Sequence, residues 1–216
     1  MDILDAQLKD LKTINKILKD KLNGTPLKIK NVTKLHGLGA GLKHGELIVE
    51  GNAGDYLGVL NAGATIRVTK NTAKYLADNM TSGTVIVEGN ADYGAGQYCY
   101  GGTIVVRGSA GDFTATMNKG ATIIVAGNVG DEVGTYMLKG DLVVVGNAGK
   151  NFANYLIRGN VYLGGECESY GHNTKLEPLT EHDLAALRGY FKTYQIKSDP
   201  TTFKKIVAAS EKPFYH

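Results

Sequence analysis

The residues best equipped for chemistry sit in two short stretches. Glu166, Cys167, Glu168 and His172 place four potential metal ligands within seven residues. Gly37, Gly39 and Gly41 spell G-x-G-x-G, a run that lets a backbone approach a phosphate closely. Neither stretch develops into a site. No second cluster answers the first, so its plain reading is a solvated loop. A dinucleotide loop would need a strand before it and a helix after it, whereas the next apolar stretch, 47–49, reads as a strand. The sequence has no Walker loop, no nucleophile elbow and no His-Glu-x-x-His. His36, His44, His172, His182 and His216 show no spacing that would orient a base against Ser or Cys. Asp55, Asp112 and Asp131 sit in turn contexts, which their propensity explains without an acid pair. Catalytic, cofactor-binding and metal residues are therefore all read as none.

What must position these residues is a repeat. Fragments of the form apolar run, Gly, Asn, small residue recur as IVEGNAG, VIVEGNA, VVRGSAG, IVAGNVG and VVVGNAG. Their marker glycines are Gly51, Gly89, Gly108, Gly127, Gly146 and Gly165, with Lys70 filling the one gap, and every step is 19. Seven coils result, over about residues 47–172. The next column is Asn52, Asn71, Asn90, Ser109, Asn128, Asn147 and Glu166, where Gly-Asn is turn chemistry and stacked amides can hydrogen-bond in a ladder. Positive φ at the marker is the expected reason for its glycine. β-branched columns from Leu47 and Val49 read as strands, and no coil contains the 10 to 12 residues of a buried helix. The period predicts an all-β fold, a right-handed parallel β-helix with short terminal α-helices. Cys99 and Cys167 fall at different offsets in their coils, so neither pairing nor shared ligation is expected.

Between the two inward columns lies a third: Ile48, Arg67, Ile86, Val105, Ile124, Val143, Tyr162. It points to the opposite face and is also apolar, as in sheets covered on both sides. Two covers answer: one of the chain's own terminal helices, or a partner protein, for which Ile48, Ile86, Val105, Ile124 and Val143 would be the interface. A second copy of the chain on this face is a further alternative. Another column, Leu60, Asn79, Tyr98, Met117, Tyr136, Tyr155, reads as aromatic packing along the coils.

The ends of a solenoid need caps. Residues 2–22 place Ile3, Leu4, Leu8, Leu11, Ile14, Leu18 and Leu22 at spacings of mainly three and four, an amphipathic helix closed by Asn23-Gly24. Thr180 and Asp183 form a capping box ahead of Leu184, Leu187 and Phe191. Residues 197–216 lack periodicity but keep Phe203, Ile206, Val207, Phe214 and Tyr215, so they read as a tail along the protein or a partner. The division is an N-terminal helix, 1–24, a solenoid, 25–171, and a C-terminal helix and tail, 172–216.

Composition agrees. Glycine is 29 of 216 residues, about twice the usual share, with only 4 prolines, which excludes collagen and linker compositions. The net charge is +3 with the cations scattered, so no nucleic acid is expected. Two cysteines form no disulfide framework and fit a reducing, cytoplasmic setting. No apolar run suits a signal peptide or membrane span.

The pattern G-x-[ILV]-x-V-x-G-N-x-G, present as GELIVEGNAG, GTVIVEGNAD, GTIVVRGSAG and GDLVVVGNAG, resembles the GXGXG family over residues 37–171. That family comprises the C-terminal β-helix domain of the glutamate synthase large subunit and one of the subunits of formylmethanofuran dehydrogenase. Tyr170-Gly-His-Asn, followed by a helix after Leu179-Thr180, looks more like the glutamate synthase member, in a stand-alone version whose glutaminase and flavin/iron-sulfur domains are separate polypeptides. The resemblance implies a parent reaction that turns glutamine, 2-oxoglutarate and reductant into two glutamates. It implies no catalytic residue here; FMN and an iron-sulfur cluster belong to partner subunits, and this chain is a scaffold. The alternatives are a scaffold in a formylmethanofuran dehydrogenase or formyltransferase/hydrolase complex of one-carbon metabolism, and an independent enzyme with a site on the solenoid's side.

Overall fold

The structure, a computed structural model, describes residues 2–7, 9–22, 24–210 and 212. Its centre is a β-solenoid of about seven turns. One strand per coil, β3 (Glu46–Glu50), β4 (Ala62–Val68), β5 (Ser82–Val87), β6 (Thr103–Val106), β7 (Lys119–Val125), β8 (Lys139–Val144) and β9 (Asn160–Leu163), pairs in parallel with the next. The register keeps the 19-residue step, Leu47 against Ile66, Ile66 against Val85 and onward to Val161. Both inward columns, from Leu47 to Val161 and from Val49 to Leu163, are fully buried. A second line of parallel contacts runs through single residues, Ala53, Thr72, Ala91, Ala110 and Val129.

The termini are woven into the same sheet rather than laid on it. Residues 2–22 are not one helix: β1 (Asp2–Asp5) pairs in parallel with β2 (Leu27–Lys30), and α1 (Leu11–Lys21) crosses between them. Asp10 caps α1 by accepting from the Thr13 amide, and Ile14, Leu18 and Leu22 plug the solenoid's N-terminal end. β2 in turn pairs with β3 at a step of 20, Leu27 against Leu47, one residue longer than the regular repeat. At the other end, β11 (Lys204–Ala208) lies antiparallel against β9, and β10 (Thr174–Glu177) lies outside it. The supposed tail thus caps the last coil, with Ile206 buried in the core. Leu8, Asn23, Phe214, Tyr215 and His216 lie outside the described residues.

The cover of the outer face is α2 (Glu181–Tyr194). Ile86, Val105, Ile124, Val143 and Tyr162 form one buried cluster with Leu187 and Phe191 of α2 and with Phe203. Four of the five residues read as a partner interface are therefore sealed inside the chain, because the capping box at Thr180 and Asp183 starts α2 directly over their column. That assignment is corrected for them, and a second copy has no access to this part of the face. Ile48 lies beyond the helix and is half-buried.

The third side of each coil is a corner of alternating left-handed residues. Gly37, Gly39 and Gly41 have φ of +88°, +69° and +65°, and the same three positions recur 19 residues on as Tyr56, Gly58 and Leu60, then as Tyr75, Ala77 and Asn79, and so through Asn151, Ala153 and Tyr155. Amides at the outer two positions donate to the following coil and those at the middle position to the preceding one, as in Tyr75 to Tyr93, Ala77 to Leu57 and Asn79 to Gln97. These bonds offset a left-handed strain of roughly 1–2 kcal/mol per residue. The middle position stays small because a Cβ on Gly96 would stand 2.7 Å from Ile123 Cδ1.

Candidate functional site

The G-x-G-x-G run is the first of these corners, and the cap occupies its backbone. Asn15 of α1 donates to the Gly37 carbonyl at 2.9 Å and accepts from the Gly39 amide at 2.8 Å. Its glycines serve chain geometry, and the next element is a strand, as the sequence indicates.

The marker glycines work differently from the sequence expectation. Gly89, Gly108, Gly127, Gly146 and Gly165 lie outside the left-handed region. They are small because the coils stack there at close range: a Cβ on Gly127 would meet the Gly108 carbonyl oxygen at 2.7 Å. Lys70 also keeps an ordinary φ, and the departure falls on Gly51 beneath it, at φ +101° with its amide donating to Thr69 Oγ1. Next to the markers runs the amide column, whose side-chain oxygens accept from the backbone of the following coil: Asn71 from the Asn90 amide at 2.8 Å, Asn90 from Ser109 at 2.8 Å, Asn147 from Glu166 at 2.9 Å. The ladder is side chain to backbone rather than amide to amide. Asp112 and Asp131 make a parallel ladder, accepting from the amides of Asp131 and Lys150.

Glu166, Cys167 and Glu168 border one shallow pocket but do not converge with His172 on a metal site. Glu166 ion-pairs with Lys204 of β11. Cys167, half-buried, has its thiol pushed up, chiefly by burial, against a bond with Tyr170 that lowers it. His172 is exposed, with its ring 4.8 Å from that of Tyr155. Among the described residues no group of three or more His, Cys, Asp or Glu is placed to hold a metal ion. Cys99 is buried, donates to the Ala77 carbonyl at 3.1 Å, and has its thiol pushed up to about 12 by burial. His36 Nδ1 accepts from the Asp55 amide at 3.1 Å.

The polar groups under α2 also serve the fold. Asp183 accepts from Tyr162, Thr180 and Lys205. Burial alone would raise its carboxyl, but these bonds hold it well below the usual carboxylate range. At the far end of α2, Arg107 donates to the Tyr194 carbonyl at 2.8 Å and pairs with Glu88 at 2.9 Å. Beyond that point the outer face turns polar, with Arg67 paired to Glu46 and Lys28 to Glu50. A groove of about 290 Å³ remains there, lined by Arg67, Arg107, Thr84 and Tyr194.

Aromatic rings run along the left-handed corner. Tyr56 and Tyr75 stack at 4.7 Å, and Tyr75, Tyr93 and Phe113 continue the row. Tyr136 stacks on Tyr155 at 5.3 Å. Lys119 reaches back over the rings of Tyr98 and Tyr100, at 5.8 and 4.3 Å from their centroids.

The fold and its surfaces define a class: a capped β-solenoid whose coils join a parallel strand to a glycine-dependent left-handed corner. The family model described as GXGXG motif matches residues 20–212, and the chain belongs to that family. Comparison with curated proteins returns no match. Among the described residues no helix is long and apolar enough to cross a membrane.

Proposed function

We propose that the chain is a non-catalytic scaffold subunit of a glutamate synthase-type assembly. It holds a glutaminase-type polypeptide and an FMN/iron-sulfur synthase-type polypeptide in fixed relation, and both cofactors belong to those partners. The setting is cytoplasmic, in keeping with two free thiols. One observation carries the reading: the reactive side chains are engaged in holding the solenoid itself. Cys99 is buried with a raised thiol, Asp183 is bonded on both oxygens under α2, and Asp112 and Asp131 bind the next coil. Continuous inter-coil pairing from β2 to β9 makes a stiff body, which suits a spacer between catalytic units.

The test is recovery of the tagged full-length chain from its source cells under mild conditions. A glutaminase-type and a flavin-type polypeptide should accompany it. Recovery of neither, or of molybdenum- or tungsten-type one-carbon enzymes instead, overturns the reading.

A further inference from the structure

The C-terminal end of the solenoid is an open sheet edge. Among the described residues the sheet ends on β10, which pairs only with β11. The helix α2 leaves this edge uncovered, because it runs from Asp183 beside Tyr162 back to Tyr194 beside Arg107. The Ala209 amide donates to the Asn173 carbonyl, so by alternation Lys175 and Glu177 turn their backbone groups to β11, and Thr174 and Leu176 turn theirs outward. Leu176 stands across from Ile206, and Ile206 from Val161, so Leu176 continues the inward column past the last buried strand. Its side chain is 56% exposed, and Tyr170 on the same last turn is 37% exposed.

Such an edge is a template for a further strand, and the residues of β10 select one. A second copy of β10 laid antiparallel can place the two-fold axis at any residue whose backbone groups match. With the axis at the level of Lys175 the two lysines oppose each other, and at Glu177 the two glutamates do. With the axis at Leu176, the leucines meet and each Lys175 opposes the copy's Glu177, where opposite charges directly across strands are favourable. Lys175 and Glu177 already pair within the chain at 2.8 Å, and two such pairs side by side alternate in sign around a square. In this register the Leu176 amides and carbonyls bond reciprocally, each Thr174 amide meets the copy's Pro178 carbonyl, and Pro178, with no N–H, ends the ladder. At the opposite end of the sheet β1 carries two acids and no cation, so it offers a copy of itself no counter-charge.

We propose that two copies of this chain join end to end through β10, antiparallel and with Leu176 on the two-fold axis, into one continuous sheet. The contact is isologous and closes at two copies. It lies apart from the outer face that α2 seals, and it does not depend on the scaffold reading.

The test is sedimentation of the full-length chain from micromolar to millimolar concentration, where a monomer–dimer equilibrium is expected. Lys175→Glu sets glutamates against glutamates and should weaken the dimer roughly tenfold, and Lys175→Glu combined with Glu177→Lys should restore it. Cysteine linkage reads the register separately. In a Cys167→Ser background under a thiol oxidant, Leu176→Cys should close a disulfide between copies. Lys175→Cys and Glu177→Cys, each too far from its own counterpart in this register, should not. A monomer at every concentration, an open filament, a dimer indifferent to Lys175→Glu or not restored by the exchange, or linkage through Lys175→Cys or Glu177→Cys in place of Leu176→Cys overturns the proposal.

Discussion

The Tyr162 hydroxyl donates to Asp183 Oδ1 at 2.7 Å across the seam between the solenoid and α2, and both residues are buried. The same carboxylate accepts from Lys205 of β11 and closes the capping box with Thr180. One side chain therefore ties sheet, helix and terminal strand together. Asp183→Ala takes the acceptor from the half-buried Lys205 ammonium and the buried Tyr162 hydroxyl, at a cost of about 2–4 kcal/mol. Chemical denaturation should show the loss, and Asp183→Asn should recover part of it.

The same seam sets a pH dependence at both ends. Asp183 titrates below its ordinary 3.8 in the fold, so its contribution is present above that pH and lost as the medium becomes more acid. Burial and a bond to Asp141 push Tyr190 from 10.0 up to about 12, so its contribution is present below pH 10 and lost as pH rises through 12. Melting temperature against pH should show a plateau with two falling limbs. Asp183→Asn should flatten the acid limb, and Tyr190→Phe should make the alkaline one shallower, the remainder coming from Tyr162, Tyr170 and Cys99, which burial also raises.

Val105→Asp separates burial under α2 from contact with a partner. Val105 is fully enclosed beneath Leu187 and Phe191, so an uncompensated carboxylate there should destabilise the isolated chain by several kcal/mol or prevent folding. A variant that melts like the parent would show that α2 does not seat on this face.

Glycine substitutions distinguish two reasons for the same residue. Gly127 has an unstrained φ but no room, so even Gly127→Ala should cost roughly 1–3 kcal/mol. Leu60 has room but a φ of +59°, so exposed Leu60→Val should lose about 1 kcal/mol or more, and Leu60→Gly should be tolerated. Thermal melts of the three variants decide between crowding and strain.

The thiols make a chemical check. Cys99 should stay unmodified by a thiol reagent at neutral pH until the chain is unfolded, while half-buried Cys167 reacts slowly in the native state. Mass spectrometry of the modified peptides reads both.

The solenoid was legible because 19-residue spacing repeats without insertion, so strand columns, amide column and register follow from arithmetic. The left-handed corner was hidden because Tyr56, Met117 and Glu132 do not announce positive φ; inter-coil bonds from distant residues impose it. The marker glycines misled for the complementary reason, since crowding from the neighbouring coil is a tertiary fact. Ile3 and Leu4 fit helical spacing equally well, and only pairing with β2 makes them a strand. Arg67 interrupts the apolar outer column where α2's cover ends, a signal present in the sequence.

The scaffold role proposed above requires that this chain couple two catalytic units without reacting itself. Glutamine-dependent glutamate formation from 2-oxoglutarate, measured with the glutaminase-type and flavin-type polypeptides with and without this chain, tests it most directly. Under the proposed role both half-reactions persist without the chain while free ammonia accumulates, adding the chain restores coupling, and the chain alone turns over nothing. Equal coupled rates with and without it, or turnover by the isolated chain that is lost on Glu168→Gln or His172→Ala, would overturn the proposed scaffold role.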